Sequence, residues 1–198
     1  MILWSAQPKE VLRLLKSGKS FRCDGRKATC LRTKNMGPYA PGGWDSSFHE
    51  PYKWMVKQMK KRGIQKDNRF PVWGWYKYHS PNPGCRVPPI NGTYGLKSWA
   101  KGQYRLKLRI PDEYVLLSDY DQWHEPLNNM FCGHSDHICR MITLEANKTW
   151  PQEKIDRLKH KSWEKIFDLD LDNLEKNQGV QACFPSIEPE YLVKAEKI

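Results

Sequence analysis

The chain has 198 residues, of which 39% are hydrophobic and 28% are charged, and these proportions are typical of globular proteins rather than of disordered ones. No apolar run approaches the length of a membrane span, and the first ten residues lack the basic flank and cleavage site of a secretory signal. We therefore expect a cytoplasmic protein that does not interact with membranes. A chain of this length can bury a core of its own, so one domain is expected over residues 1–198.

The net charge of +11 is unevenly distributed. Residues 1–110 carry 23 Lys and Arg against 5 Asp and Glu, whereas residues 111–198 carry 10 against 17. A strongly positive half attracts polyanions such as nucleic acid, with an affinity that falls as salt rises. Two alternatives are that the cations form an ordinary solvated surface and that the basic half pairs internally with the acidic half.

The first part of the chain predicts a strand, two helices and a basic loop. A strand is expected over 2–6, and apolar residues at helical spacing predict a helix over 8–17 that stops at Gly18. Residues 19–48 show no period and predict an irregular loop rich in cations. Helical spacing returns over 50–62, where cations at the end suit the negative end of a helix dipole.

Strands dominate the middle of the chain. The aromatic segment 70–78 favours a strand, and residues 104–110 alternate strictly, with one apolar face and one face carrying three cations. A further strand is expected over 113–117, followed by a helix over 119–129 that Ser118 caps.

The last part predicts one helix and two short strands. Thr149 and Gln152 have the spacing of a capping box, and apolar residues continue a helix to Phe167. Short strands are expected over 180–184 and 191–193. Strands and helices mix without a regular alternation and without an internal repeat, which predicts an α+β fold.

The motifs of common nucleotide-binding folds are missing, since the chain has no G-x-x-x-x-G-K-[ST] and no G-x-G-x-x-G. Two thiols and two imidazoles, the ligand types that zinc prefers, lie within eight residues at Cys132, His134, His137 and Cys139. Their one-residue and two-residue gaps are unusual for a zinc site. We therefore expect a polar loop and free thiols there, with a bound metal unlikely.

Aromatic residues are interleaved with cations in three segments, 52–54, 75–78 and 97–101. Bases stack on exposed rings while lysines meet phosphates, so this mixture is typical of proteins that bind single-stranded nucleic acid. The alternative is that these rings belong to the core.

Several motifs, spread over nearly the whole chain, resemble an uncharacterised bacterial family of unknown function. The motifs are Trp4-Ser5-x-Gln7, Pro71-Val72-Trp73-Gly74-Trp75-Tyr76, Leu117-Ser118-Asp119-Tyr120-Asp121-x-Trp123-His124-x-x-Leu127-Asn128, Ser162-Trp163-Glu164-x-Ile166-Phe167-Asp168-Leu169 and Val180-Gln181-Ala182. This resemblance points to relatives without pointing to a reaction.

A more distant resemblance, to small ADP-ribosyltransferases, rests on the order of elements and on the late strand over 181–192. It implies an ADP-ribosyltransferase-like α+β fold in which two small packed sheets form a cleft for NAD with flanking helices. It also implies NAD-binding roles for Trp4, Ser5, Trp75 and Tyr76, and catalytic roles for Gln7 and Gln181. Gln181 departs from the pattern, which has Glu at this position, because an amide can hydrogen-bond a ribose but cannot act as a base.

We expect the basic half to bind an RNA or DNA acceptor through seven cations, namely Arg22, Arg26, Lys27, Lys57, Lys60, Lys61 and Arg62. Such enzymes often act as toxins or in phage defence, so the resemblance also implies an antitoxin or another neutralising protein. One alternative is a basic nucleic-acid-binding module that catalyses no reaction. Another is a scaffold whose basic half meets an acidic protein.

Overall fold

A computed structural model describes residues 1–24, 49–79, 86–133, 144, 149–174 and 178–198. The strands are β1 (Ile2–Gln7), β2 (Val72–Lys77), β3 (Tyr104–Arg109), β4 (Leu116–Asp119), β5 (Val180–Phe184) and β6 (Leu192–Lys197). The helices are α1 (Lys9–Lys16), α2 (His49–Lys61), α3 (Tyr120–Leu127) and α4 (Gln152–Ser162). Short 3₁₀ helices span Leu96–Ser98, Asp112–Tyr114, Trp163–Phe167 and Pro189–Tyr191.

The six strands form one antiparallel sheet in the order β4-β5-β2-β1-β3-β6. The predicted α+β class is therefore confirmed, but the two small packed sheets are not found. The strands make a single sheet because β1 pairs with β2 on one side and with β3 on the other. The two joins are unequal, since β1 pairs with β3 through six residues and with β2 only where Trp4 lies opposite Trp75.

Both faces of the sheet carry a hydrophobic core. On the first, the α1 face, α1 packs over the cluster of Leu3, Val11, Leu12, Leu15, Val72, Leu106, Leu108, Ile110, Ala182, Phe184 and Ile187. On the second, the α2 face, the cluster is Trp54, Met55, Met59, Ile64, Leu116, Trp123, Cys132, Trp163, Ile166 and Cys183. Strand β5 is thus buried from both sides, because its side chains alternate between the two clusters.

The apolar spacing of α1 explains why it lies flat against the sheet. Val11, Leu12 and Leu15 share one side of the helix and are buried. The chain then leaves the helix at Gly18, whose φ of +75° lies in the left-handed region that glycine adopts without steric cost.

The segment after β3 differs from its prediction. The predicted strand over 113–117 begins as a 3₁₀ helix, and β4 follows it later in the chain. Asp119, not Ser118, caps α3, because its Oδ1 accepts a hydrogen bond of 2.9 Å from the Gln122 N–H. Ser118 is instead a fully buried residue of β4.

The helix predicted to continue to Phe167 changes character at Trp163. The α-helix ends at Ser162, and a 3₁₀ helix follows. The fully buried Trp163 donates its Nε1–H to the carbonyl oxygen of Met130 at 2.6 Å, which fixes this turn against the end of α3. No helix in the described ranges is both long enough and apolar enough to cross a membrane.

An ion pair joins the edge strand β6 to β3. The Arg105 guanidinium donates to Glu196 Oε2 from Nη2 at 2.6 Å and from Nε at 3.1 Å. Lys194 contacts the other carboxylate oxygen at 2.9 Å. The hydrogen bond with Lys194, followed by that with Arg105, lowers the pKa of Glu196.

Because this pKa is lowered, the Glu196 carboxylate stabilises the folded state above the ordinary glutamate pKa of about 4.3, and this contribution is lost as the pH falls through the lowered value. We predict that Glu196→Gln flattens the dependence of the urea midpoint on pH between about pH 5 and pH 3. The measurement is urea unfolding followed by circular dichroism. The control is Glu153→Gln on exposed α4, and equal slopes for both variants would contradict the prediction.

Candidate functional site

The two central strands separate directly after their single backbone pair. After Trp4 in β1 and before Trp75 in β2, no further backbone pairing joins the two strands, and side-chain hydrogen bonds are found there instead. The Ser5 hydroxyl donates to the carbonyl oxygen of Trp73 at 2.7 Å, and Gln7 Nε2 donates to Ser5 Oγ at 2.8 Å. The sheet is therefore open between β1 and the start of β2.

Gly74 makes the single join between the central strands possible. A Cβ atom at this position would lie 3.0 Å from the carbonyl oxygen of Trp4 and 3.2 Å from the ring of Phe184. Both distances are shorter than ordinary van der Waals contact, so a side chain here would require the Trp4 backbone or the Phe184 ring to move by a few tenths of an ångström. The absence of a side chain thus sets how closely β2 approaches β1.

A cleft of about 320 Å³ occupies the opening between the strands. Its size lies near the lower end of the range for small-molecule sites, about 300–1,000 Å³. The described residues that line it are Ser5, Ala6, Gln7, Phe21, Cys23, Pro71, Val72, Trp73, Gly74, Trp75, Trp99 and Gln181. Aromatic rings, a hydroxyl, a thiol and two amides therefore make up the functional part of its wall.

The segment that brings Phe21 to the cleft is tied to the end of the chain. Phe21 and Ile187 exchange two backbone hydrogen bonds of 2.9 Å. Glu188 accepts hydrogen bonds from Ser20 and Ser186, and Arg22 adds a favourable charge. Burial raises the pKa of Glu188, but these hydrogen bonds and the Arg22 charge outweigh burial and lower the pKa. The ionised carboxylate thus holds this wall of the cleft in place.

Cys23 contributes to the cleft a thiol that is neutral at neutral pH. Burial raises its pKa, and the neighbouring Asp24 carboxylate raises it further. Only the thiolate is a strong nucleophile, so the neutral thiol behaves as a small apolar group at neutral pH.

Gln181 carries an unsatisfied polar atom. Its Oε1 is buried and has no hydrogen-bond partner in the part of the chain that the structure describes. Ser118 lies directly opposite Gln181 on β4, and its buried Oγ is likewise without a partner among the described residues. A buried acceptor of this kind costs about 1–3 kcal/mol unless a donor satisfies it, so a ligand that offers an N–H or O–H group would gain from contact with Gln181.

The cleft wall is electrically neutral. Among the described lining residues there is no Asp, Glu, Lys, Arg or His. Amides and aromatic faces suit a flat ring with hydrogen-bonding groups, because such a ring gains stacking and hydrogen bonds there. The described residues of the wall include no carboxylate that could act as a general base.

The structure brings four of the six predicted NAD-site residues together on the cleft, namely Ser5, Gln7, Trp75 and Gln181. Trp75 makes an edge contact with the ring of Tyr78 and a tilted contact with the ring of Tyr120, each with ring centroids 4.8 Å apart.

The other two predicted NAD-site residues lie outside the cleft lining. The cations of Arg105 and Lys107 lie 5.1 Å and 5.8 Å from the ring centroid of Trp4. Tyr76 packs against the core of the α1 face. Trp4 nevertheless belongs to the site through its backbone, because it forms the pair with Trp75 at which the cleft begins.

Five of the predicted nucleic-acid contacts fall on described residues, whereas Arg26 and Lys27 lie outside them. Arg22 lies 3.8 Å from Asp67. The other four cations, Lys57, Lys60, Lys61 and Arg62, are exposed at the end of α2. Among the described residues, Lys60 contacts Asn68 and Lys61 contacts Glu164, and these surface contacts are weak enough for a polyanion to replace. Arg62 is held more firmly, because it donates to the buried Gln58 at 2.6 Å and lies over the ring of Phe167.

Sequence reasoning did not assign Phe21, Cys23 and Trp99 to the cleft. Trp99 had a usable signal, since it lies within the aromatic and basic segment 97–101. Phe21 and Cys23 had none, because the pairing of Phe21 with Ile187 that brings them there joins distant parts of the chain.

The candidate metal cluster is only partly within the described residues. Cys132 is fully buried and packs in the core of the α2 face, whereas His134, His137 and Cys139 lie outside the described ranges. Within those ranges, no three Cys, His, Asp or Glu side chains are grouped closely enough to hold a metal ion.

A comparison with protein families identifies relatives of the chain over almost its full length. The family described as Domain of unknown function (DUF3841) matches residues 2–193, so the chain belongs to this family. This confirms the resemblance to an uncharacterised family. Searches of curated proteins and of solved structures found no match.

The Ser5 bridge across the cleft has a measurable energetic role. We predict that Ser5→Ala lowers the free energy of unfolding by about 1 kcal/mol, because Trp73 loses its hydrogen-bond donor and Gln7 loses its acceptor. The measurement is urea denaturation of both proteins. Ser17→Ala is the matched control, since Ser17 bonds the Leu14 carbonyl on the exposed surface and should change the stability far less. Equal losses for the two variants would contradict a special role for the bridge.

Proposed function

We propose that this member of the DUF3841 family binds the nicotinamide half of NAD in the cleft and transfers ADP-ribose to a nucleic-acid acceptor. The bond between the ribose C1′ and the nicotinamide nitrogen breaks, and nicotinamide leaves as a neutral molecule. A hydroxyl oxygen or a nitrogen of the acceptor bonds to C1′ and releases its proton to solvent. This balances the reaction without a further reactant.

The single observation that carries the proposal is the buried Oε1 of Gln181, which has no partner among the described residues, in a cleft whose described lining is neutral and aromatic. A carboxamide N–H or a ribose hydroxyl satisfies this acceptor. The indole of Trp75 offers a face for a flat ring. The cleft volume fits one ring and its ribose more closely than a whole dinucleotide.

The chemistry available to the site is electrostatic rather than acid–base. Positive charge develops on the ribose ring as the nicotinamide bond breaks, and the amide oxygen of Gln181 presents a partial negative charge that stabilises it. Gln7 is oriented by its hydrogen bond to Ser5, and strand alternation places its side chain on the α1 face of the opening, whereas that of Gln181 lies on the α2 face. Without a carboxylate in the described lining, the acceptor must be a good nucleophile in its own right.

A second candidate function is nucleic-acid binding without a reaction. It is supported by the exposed cations at the end of α2, among which Lys60 and Lys61 make weak surface contacts with other described residues. Binding of this kind depends on charge and not on the cleft, so the two candidates separate experimentally.

We predict that the purified protein transfers label from adenine-labelled NAD to an acceptor, and that Gln181→Ala and Gln7→Ala each reduce the initial rate by about 100-fold, the usual cost of removing one positioned hydrogen-bonding group. Single-stranded RNA, single-stranded DNA and a cell lysate are offered as separate acceptors. Trp4→Ala tests whether the Trp4 ring, which lies outside the cleft lining, is also needed.

The control for these variants is Gln152→Ala, because Gln152 is an exposed amide on α4 that bonds only Asp156 in the described structure. Absence of transfer to every acceptor, together with salt-sensitive oligonucleotide binding that Gln181→Ala leaves intact, would refute the transferase and leave the binding module.

Ligand occupancy of the cleft can be measured without turnover. We predict that saturating NAD slows the alkylation of Cys23 by iodoacetamide several-fold at mildly alkaline pH, because Cys23 lines the cleft. Peptide mass spectrometry separates Cys23 from the other thiols. Gln181→Ala should remove the protection, and an alkylation rate that is the same with and without NAD would exclude binding beside Cys23.

A further inference from the structure

The segment before β3 exposes two large aromatic residues that are close together in sequence. Tyr94 is 58% exposed and Trp99 is 57% exposed, the two highest values among the large hydrophobic residues that the structure describes. Single exposed aromatic residues are common on protein surfaces, but two within six residues of one segment are a concentrated apolar feature. We call residues 94–101 the aromatic loop.

The aromatic loop is firmly anchored although its rings are exposed. Leu96 and Ala100 are each 1% exposed and pack with Ile198. The Leu96 N–H donates to the Pro89 carbonyl at 2.8 Å, and the Tyr94 carbonyl accepts a hydrogen bond of 2.9 Å from the hydroxyl of Tyr78. The rings are therefore attached to an ordered backbone, so the binding of a partner does not include the entropic cost of ordering the loop.

The surroundings of the two rings are strongly positive. Residues 86–109 contain six cations and no acidic residue. Lys97 and Lys101 are both exposed and flank Trp99 in sequence, and neither forms an ion pair within the described ranges. Exposed rings between free cations match the stacking surface and charged groove of proteins that bind single strands.

Trp99 connects this surface to the cleft. It is a lining residue of the cleft, together with Gln7 and Gln181. A base stacked on Trp99 therefore lies beside the neutral cleft, with its phosphates directed to the cations outside it. The described lining of the cleft carries no charge, whereas Lys97 and Lys101 on the aromatic loop are positive. This arrangement suits a nucleic-acid strand, which has neutral bases and an anionic backbone.

We propose that the aromatic loop binds single-stranded nucleic acid, with bases stacked on Tyr94 and Trp99 and phosphates on Lys97 and Lys101. Duplexes are excluded as the main ligand because their base faces are covered by stacking on one another. The role as an acceptor site rests on the proposed ADP-ribosyl transfer. The binding itself does not, since it requires only the loop.

The test measures fluorescence anisotropy of labelled twelve-nucleotide RNA and DNA strands, and of the matching duplex, in the absence of NAD. We predict that Trp99→Ala weakens single-strand binding by about 5- to 100-fold, while Trp99→Phe retains most of the affinity because a phenyl ring still stacks. Replacing both Lys97 and Lys101 by Gln should reduce the slope of log affinity against log salt by about 1.4, or about 0.7 for each phosphate contact.

The matched control is Trp150→Ala. Trp150 is also exposed, at 37%, and has Lys154 at 4.1 Å from its ring centroid, but it does not line the cleft. Thermal unfolding of each variant checks that the fold is intact. Equal effects of Trp99→Ala and Trp150→Ala, tighter binding of the duplex, or full competition by an acidic peptide would each overturn the proposal.

The experiment also separates this proposal from the proposed function. Binding that depends on Trp99, with no ADP-ribosyl transfer to any acceptor, would refute the transferase alone. Transfer to an oligonucleotide that proceeds at the same rate in Trp99→Ala would refute the role of the aromatic loop alone.

Discussion

The structure depends on one narrow join, the pairing of Trp4 with Trp75 in the middle of the sheet. Strand β1 is firmly paired to β3, and β2 is firmly paired to β5, so the join connects two well-formed halves. Gly74 permits it, and the Ser5 hydroxyl supports the gap beside it. A complete backbone ladder at this place would close the cleft, and the loss of the pair would separate the sheet into two parts.

The molecule also separates its charges from its candidate site. The described lining of the cleft is neutral, whereas exposed cations lie outside it, on α1, on the end of α2, on α4 and on the aromatic loop. Cations that stay in contact with solvent avoid the desolvation cost of burial. They attract polyanions over distances of about 10 Å, set by the ionic strength.

The local elements of the chain were largely predictable from its sequence, because they follow from local patterns. The alternation in β3, the helical spacing in α1 and the glycine that ends that helix each depend on neighbouring residues. The predicted boundary of a helix was wrong where a tertiary contact determines it. At Trp163, for example, the ring donates a hydrogen bond to the carbonyl oxygen of Met130, just after α3. The predicted cap of α3 was wrong because Ser118 and Asp119 are both residue types that cap helices well. Ser118 is buried in β4, so Asp119 caps the helix.

The candidate site was predictable only in part. Four residues picked out by sequence motifs do line the cleft, namely Ser5, Gln7, Trp75 and Gln181. Sequence gave no signal that one sheet would form in place of two, because the choice rests on a single residue pair between distant segments. For the same reason it did not place Phe21 opposite Ile187.

The order of the strands has a consequence for the synthesis of the chain. Strand β5 lies between β2 and β4 in the sheet but follows both in sequence by more than 60 residues, and it supplies Gln181. Until β5 has left the ribosome, β2 and β4 each present an open edge, and the cleft lacks one of its walls. Contacts between such distant segments also form slowly. The protein is thus synthesised without a complete site, and whatever the site does begins only when the last strands have folded into place.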